Sequence, residues 1–185
     1  MDLNLEIEFK YRATLSCSEI TQIVKNHVST MVSQPDFYHV VSCDSYYEQE
    51  GVYSSAPYIR YRRGGSLTEL TIKEKTNTDN NIVRKEINID VRRNSNIEIV
   101  DFLQSIGFKK SFDIYKEAYI ISSYKWEICH YTLQDDVQFI EIEAKNSAST
   151  DDAINTLEKW ESRLGYTEND RITESLYELY KPSKL

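Results

Sequence analysis

Hydrophobic and polar residues alternate along most of this chain, which is the pattern of β-strands that bury one face. In the first stretch, LEIEFK from Leu5, every second residue is apolar and the residues between them are charged. The same alternation predicts seven further strands, at about 37–48, 57–63, 67–75, 82–92, 111–122, 124–133 and 137–145. Turn-forming residues separate the strands, so consecutive strands are expected to form antiparallel hairpins.

Four segments instead carry apolar residues at helical spacing. Ser16 with Glu19, and Ser95 with Glu98, stand at the spacing of a capping box, in which a serine and a glutamate satisfy the first backbone N–H groups of a helix. The predicted helices span about 18–32, a stretch within 94–108, about 150–164 and about 171–180.

The apolar faces of the strands need a cover. Ile59, Tyr61, Leu70, Ile87 and Ile89 lie on such faces and are predicted to be buried. Helices can cover the apolar outside of a sheet that closes into a barrel, and the charged face then points inward. The prediction is an α+β fold, an eight-stranded antiparallel β-barrel with flanking helices, built as one domain over residues 1–185.

Composition and charge exclude several function classes. The chain has 22 basic and 30 acidic residues, a net charge of −8, which argues against DNA binding through the phosphate backbone. No apolar run approaches the roughly 18 residues of a transmembrane helix, so no membrane partner is expected. The N-terminus is charged almost at once, unlike a signal peptide, and the three cysteines lack CxxC spacing. These features favour a cytoplasmic protein with reduced thiols.

Charged side chains occur in pairs at spacing two on the polar faces of the strands. Residues two apart on a strand project to the same side, about 6–7 Å apart, so like charges there repel each other. Solvated charges on a half-exposed sheet would explain one such pair, but five pairs opposite apolar faces favour a charged interior. The pairs are Glu6 and Glu8, followed in phase by Lys10; Arg60 and Arg62; Lys73 and Lys75; Arg84 and Glu86; and Glu141 and Glu143.

A charged interior is costly unless the acids hold cations and the bases hold an anion. A polyphosphate with divalent metal ions satisfies both demands, because carboxylates bind Mg²⁺ or Mn²⁺ and Arg and Lys bind phosphoryl oxygens. His27, His39 and His130 are too scattered for a histidine metal site or a catalytic triad, and they are interpreted as structural or surface residues.

These motifs, in this order, resemble the CYTH, or triphosphate tunnel metalloenzyme, superfamily. Its members include class IV adenylate cyclases, thiamine triphosphatases and inorganic triphosphatases. The similarity covers nearly the whole chain: ExExK at Glu6–Lys10, D-x-Y at Asp44–Tyr46, RxR at Arg60–Arg62, T-x-K ending at Lys73, RxE at Arg84–Glu86, ExE at Glu141–Glu143 and the closing ESLYELY.

The resemblance implies a triphosphate tunnel and a metal-dependent reaction, with Mg²⁺ or Mn²⁺ as cofactor. It implies that Glu86 binds metal or orients an arginine. The implied roles are metal binding by Glu6, Glu8, Glu141 and Glu143; substrate binding by Lys10, Arg60, Arg62, Lys73, Arg84 and Lys116; and catalysis by Glu6, Glu8, Lys10, Arg62 and Lys73.

The sequence departs from the family pattern at two places. The predicted sixth strand offers only Lys116, with Lys109 and Lys110 upstream of it, where the family usually has adjacent basic residues. In the seventh strand, Tyr131 stands near the position of an expected aspartate, and Asp135 and Asp136 are either displaced substitutes for it or turn formers. A second metal site therefore stays open.

Three functions remain compatible with this pattern. The first is hydrolysis of a small-molecule triphosphate, with inorganic tripolyphosphate, a nucleoside triphosphate, thiamine triphosphate and an RNA 5′-triphosphate as candidate substrates. The second is a class IV-type adenylate cyclase, which makes cyclic AMP from ATP. The third is a non-catalytic binder of a phosphorylated ligand. The acidic balance mildly disfavours long RNA, and the oligomeric state stays open.

Overall fold

Eight strands arise in the part of the chain that the computed structural model describes, which is residues 5–28, 34–49, 58–65, 67–73 and 83–182. The strands are β1 (Leu5–Arg12), β2 (Asp36–Gln49), β3 (Tyr58–Gly64), β4 (Leu67–Lys73), β5 (Val83–Asp90), β6 (Phe108–Ser122), β7 (Trp126–Leu133) and β8 (Gln138–Ala144). Their hydrogen-bonded order is cyclic, β1-β5-β4-β3-β2-β6-β7-β8, with β8 paired again to β1. This order is that of an antiparallel barrel, so the predicted α+β fold class is confirmed.

The helices follow the sequence predictions closely, with one exception. They are α1 (Cys17–Val28), α2 (Asn96–Ser105), α3 (Thr150–Arg163) and α4 (Leu176–Tyr180), with a 3₁₀ turn at Glu168–Asp170. Both predicted capping boxes form, at Ser16 and Ser95. Of the helix predicted over 18–32, residues 29–32 lie outside the described part of the chain.

The predicted start of the last helix, at about residue 171, is wrong. Helix α4 begins at Leu176, because Ser175 and Glu178 form a capping box. The Ser175 side chain accepts a hydrogen bond from the backbone N–H of Glu178, and the Glu178 carboxylate accepts one from the backbone N–H of Ser175. Ahead of this cap, the backbone N–H of Ile172 donates to the carbonyl of Lys10 in β1 at 2.8 Å. That hydrogen bond fixes the segment before α4 along β1.

The chain divides into two compact units. The first unit takes in the described residues of 1–5, 41–116 and 174–185, and the second those of 6–40 and 117–173. The single-domain organisation stays a prediction.

In the first unit, α2 packs on the apolar face of the sheet formed by β2 to β5. Ile99 and Leu103 of α2 join a buried cluster with Ile59, Tyr61 and Leu70. The predicted burial of Ile87 and Ile89 in β5 is wrong, since they are 43% and 47% exposed. The cluster under α2 includes β3 and β4 residues but neither of these two β5 isoleucines.

In the second unit, α3 packs on β8 and presents Trp160 to the core. The Trp160 ring lies 4.4 Å from the ring of Trp126 in β7 and 5.8 Å from the ring of His27 in α1, centroid to centroid. A buried carboxylate, Glu161, follows Trp160 on α3. Aromatic contacts thus join α1 and α3 to β7, whose opposite face carries Glu127.

His130 in β7 is a buried histidine, 6% exposed, and burial lowers its pKa from the ordinary value of 6.5. The folded chain therefore keeps His130 neutral, whereas the unfolded chain binds a proton below about pH 6.5. The free energy of unfolding should be fully retained above that pH and should fall as the pH drops below it, by at most about 1.4 kcal/mol per pH unit.

Urea denaturation of the wild type and of His130→Leu between pH 5 and 8 checks this expectation. The variant should lose this component of the pH dependence. His39→Gln is the control, because His39 is half exposed and pairs with Glu117 at 2.7 Å. Equal pH dependence of the wild type and His130→Leu would contradict the prediction.

Candidate functional site

The second unit gathers the predicted carboxylates on one face of three neighbouring strands. In the antiparallel register, Glu8 of β1 lies opposite Glu143 of β8, and Glu143 lies opposite Glu127 of β7. Directly opposed residues of an antiparallel pair project to the same face, with Cβ atoms about 5 Å apart. The three glutamates therefore form a carboxylate row across β1, β8 and β7.

Lys10 is a counter-charge within this region. Its side chain is only 3% exposed, and its Nζ lies 3.7 Å from Oε1 of Glu8 and 3.3 Å from Oε1 of Glu141. Lys10 is also the Cα partner of Glu141 in the β1–β8 register. One lysine thus neutralises part of the charge of two glutamates and keeps both carboxylates close to it.

Glu143 is a carboxylate of this site with a strongly raised pKa. Burial raises its pKa, and the neighbouring charges of Glu6, Glu127 and Glu8 raise it further, to about 8. Lys145 opposes this effect only partly, and it is held by Glu127 at 2.9 Å. Negative charge is therefore more concentrated around Glu143 than the local bases compensate.

Tyr131, which stands near the position where the resemblance implies an aspartate, contacts one of the predicted metal ligands. Its hydroxyl donates a hydrogen bond to Oε1 of Glu141 at 2.8 Å. Burial and the charge of Glu141 raise the pKa of Tyr131 well above 10, so the hydroxyl stays a neutral donor. Glu141 is consequently held by both Tyr131 and Lys10.

Asp135 and Asp136 lie in the turn between β7 and β8. Asp136 has a positive φ of 61°, a conformation that aspartate tolerates better than most residues. Of the two interpretations of these aspartates, this position favours turn formation.

The donor set of this region fits a hard divalent cation, because it consists of carboxylate oxygens that lie close together and repel each other. Within the described residues, however, no group of three or more His, Cys, Asp or Glu side chains is already arranged to hold a metal ion. Lys10 lies between two of the four predicted ligands. Metal binding by Glu6, Glu8, Glu141 and Glu143 stays a prediction.

The first unit carries five of the six residues predicted to bind substrate, all except Lys10, which lies in the second unit. Arg62 of β3 makes a two-point contact with Asp44 of β2: its Nε donates to Oδ1 and its Nη2 to Oδ2, each at 2.7 Å. Lys116 of β6 is also buried, and its Nζ lies 3.9 Å from the same Oδ2. Burial alone would raise the pKa of Asp44, but the charges of Arg62 and Lys116 hold it well below its usual range.

Arg60 has a different environment two residues earlier on β3. Its Nη2 donates to the hydroxyl of Thr71 at 2.9 Å and lies 3.6 Å from Glu69 and 3.8 Å from Glu86. Glu86 therefore contacts an arginine, in agreement with the second of its two implied roles. The two arginines of the RxR motif are thus each held by carboxylates of adjoining strands.

Lys73 and Arg84 lie in β4 and β5, but their side chains are outside the described part of the structure. The backbone of Lys73 pairs with Glu86 across the β4–β5 register. Their assigned contacts with substrate stay predictions.

Sequence reasoning placed Asp44 in a family motif without giving it a role. The sequence feature that could have indicated a role is a carboxylate in phase with Tyr46 and directly opposite Arg62 once β2 and β3 form a hairpin.

No disulfide joins Cys17, Cys43 and Cys129. Among the described residues, no helix is long and apolar enough to span a membrane.

Comparison with known proteins identifies the family. A family model described as "CYTH domain" matches residues 4–176. The Pyrococcus horikoshii OT3 protein PH1012 has a similar structure, with a TM-score of 0.75 and 18% identity, over 94% of this chain and 98% of that one. A candidate adenylate cyclase from Vibrio parahaemolyticus matches with a TM-score of 0.72 and 14% identity, over 96% and 98% of the two chains.

A third similar structure is HpAC1 from Hippeastrum, a candidate adenylyl cyclase described as having a dominant triphosphatase activity. It has a TM-score of 0.58 and 12% identity, over 95% of this chain and 94% of that one. At these identities the likeness is one of fold. No curated protein matches this chain in sequence.

Proposed function

We propose, from the premise that this chain belongs to the CYTH domain family, that it is a divalent-metal-dependent hydrolase of a small-molecule triphosphate. The observation that carries the proposal is the row of glutamates around Glu143, whose negative charge the neighbouring bases balance only in part. Arg60, Arg62 and Lys116 of the first unit are buried or half-buried bases that each lie near a carboxylate. Divalent cations suit the glutamates, and phosphoryl oxygens suit the bases.

In this proposal Glu6, Glu8, Glu141 and Glu143 hold Mg²⁺ or Mn²⁺, which supplies Lewis acidity and neutralises charge on the phosphoryl oxygens. The basic residues bind and orient the triphosphate and stabilise the charge that develops on its oxygens during transfer to water. Arginine suits this task because its planar fork matches two phosphoryl oxygens at once. The products are a diphosphate and orthophosphate. The proposed phosphate ligands are Lys10, Arg60, Arg62, Lys73, Arg84 and Lys116.

Hydrolysis is favoured over cyclisation by the activity described for HpAC1, a candidate cyclase of the same fold whose dominant reaction is that of a triphosphatase. The net charge of −8 favours a small substrate over long RNA, whose backbone a net acidic surface repels. Inorganic tripolyphosphate, nucleoside triphosphates and thiamine triphosphate are therefore the first substrates to assay, with an RNA 5′-triphosphate as the comparison.

Chelation should abolish turnover, because the proposed reaction depends on a cation held by carboxylates. Phosphate release from each substrate should occur with Mg²⁺ or Mn²⁺, stop in excess EDTA, and return when metal is added beyond the chelator. Cyclic AMP is measured in the ATP reactions.

Three outcomes would contradict the proposal. Full turnover in excess EDTA would exclude the metal requirement. Cyclic AMP as the main product from ATP would make the chain a cyclase. Tight triphosphate binding without turnover of any substrate would make it a phosphoryl-ligand binder.

A further inference from the structure

Asp44 is a fully buried carboxylate in strand β2, and its side chain has 0% exposure. Both of its oxygens accept hydrogen bonds from Arg62, at 2.7 Å each. Asp44 and Arg62 are Cα partners in the β2–β3 register, so the backbone pairing itself brings the two side chains together. The guanidinium is therefore held at two points from a rigid neighbouring strand.

A single negative charge serves two basic residues here. Lys116 of β6 approaches the same Oδ2 of Asp44 at 3.9 Å, so Asp44 lies near both Arg62 and Lys116. These three side chains together carry a formal charge of +1, since one anion stands with two cations. Asp44 therefore offsets only one of the two positive charges that the proposed function assigns to substrate binding.

Stability alone does not account for such an arrangement. A buried ion pair is weak evidence for stabilisation, because desolvation of both charges offsets much of their attraction. A two-point contact to a planar guanidinium does restrict the orientation of that plane. Orientation matters for catalysis, because a displacement of about 1 Å in a charged group can cost about a hundredfold in rate.

We propose that Asp44 is a positioning residue, which holds the Arg62 guanidinium in the orientation that stabilises the phosphoryl group during its transfer. The inference rests on the proposed triphosphatase function and adds to it a residue that acts through Arg62 rather than on the substrate. It implies that Asp44 contributes to turnover even though its own charge has the same sign as the substrate.

The test is a double-mutant cycle of Asp44→Asn, Arg62→Ala and the two together, with kinetics on the best substrate. Arg62→Ala should lower kcat/KM about ten- to hundredfold, the usual loss for one charge-assisted contact. Asp44→Asn should lower kcat by a similar factor, because Arg62 loses its fixed orientation. In the Arg62→Ala background, Asp44→Asn should cost less than about threefold, because its effect passes through Arg62.

Binding of tripolyphosphate without metal, measured by calorimetry, separates positioning from damage to the fold. Asp44→Asn raises the local net charge by one unit, so it should bind tripolyphosphate with unchanged stoichiometry and at least wild-type affinity. A variant that failed to fold would instead lose stoichiometry. The doubly substituted protein has neither buried charge of the pair, so it can fold even where Asp44→Asn alone does not.

Asp113→Asn is the matched control, because Asp113 also contacts a cation, Lys110 at 2.6 Å, but lies in a 20% exposed position on β6. It should retain kcat within about twofold. The inference would be overturned, without affecting the proposed function, by either of two results. One is a wild-type kcat in Asp44→Asn, and the other is an equal loss of kcat from Asp44→Asn in the wild-type and Arg62→Ala backgrounds. Absence of turnover in the wild type would overturn the proposed function and the inference with it.

Discussion

Replacing Glu8 by glutamine should abolish triphosphate hydrolysis while leaving the fold intact. Glutamine keeps the size of the side chain but removes one of the four charges proposed to hold the metal ion. A catalytic metal supplies several kcal/mol of charge stabilisation, so the loss in kcat/KM should be about a thousandfold or more. A higher concentration of Mn²⁺ should restore part of the activity, because the defect is in metal affinity.

The structure also indicates how the metal-free Glu8→Gln protein should behave. Glu8 lies opposite Glu143 and is one of the charges that raise its pKa to about 8. Removing that charge relieves repulsion, and Lys10 keeps its contact with Glu141 at 3.3 Å. The melting temperature without metal should therefore be no lower than that of the wild type.

Calorimetric titration with Mn²⁺ and metal-titrated kinetics together check the role of Glu8. Glu117→Gln is the control, because Glu117 is a half-exposed glutamate on β6 that pairs with His39. The control should keep wild-type metal affinity and activity. If Glu8→Gln also kept both, Glu8 would not be a metal ligand, and the carboxylate row would need another explanation.

Among the substitutions considered, Glu161→Ala should cause the largest fall in the free energy of unfolding. Glu161 is buried on α3, and its carboxylate accepts hydrogen bonds from Arg171 at 2.7 Å through each oxygen and from the Tyr11 hydroxyl of β1 at 2.9 Å. Arg171 also lies over the ring of Phe9 at 3.8 Å. Alanine would leave the Arg171 charge buried without this partner, which typically costs about 3–5 kcal/mol.

Urea denaturation measures this effect, and helix α3 provides a matched control. Glu158→Ala makes the same substitution on the same helix at an exposed position, and it should scarcely change the free energy of unfolding. Replacing Glu161 and Arg171 together by methionine should recover much of the loss, because no unpaired charge then remains. Equal stability of the Glu161→Ala and Glu158→Ala proteins would contradict the prediction.

The Glu161 network also bears on the site, through strand β1. Tyr11 and Phe9 lie on the face of β1 opposite Glu8 and Lys10. Contacts to both from α3 and from Arg171 therefore anchor the strand that carries the ExExK motif. Loss of this anchor is expected to lower activity along with stability.

The sequence alone determined the elements and the face on which each charged residue lies. Strand periodicity and capping boxes depend on residues two to four positions apart, so eight strands and the start of three helices could be predicted from local pattern. The same periodicity set Glu6, Glu8, Arg60 and Arg62 on the polar faces. The order of the motifs also identified the family, which the match of the CYTH domain family model to residues 4–176 confirms.

Only the tertiary structure decided which charges meet. The contacts of Lys10 with Glu8 and Glu141 depend on how β1 and β8 pair, and the contact of Asp44 with Arg62 depends on how β2 and β3 pair. Local sequence pattern does not specify these registers. The exposure of Ile87 and Ile89 likewise depends on where α2 packs. Burial raises the pKa of Glu143 to about 8, together with the neighbouring glutamates. Burial depends on how much water the assembled strands exclude, so the sequence pattern alone could not predict this pKa.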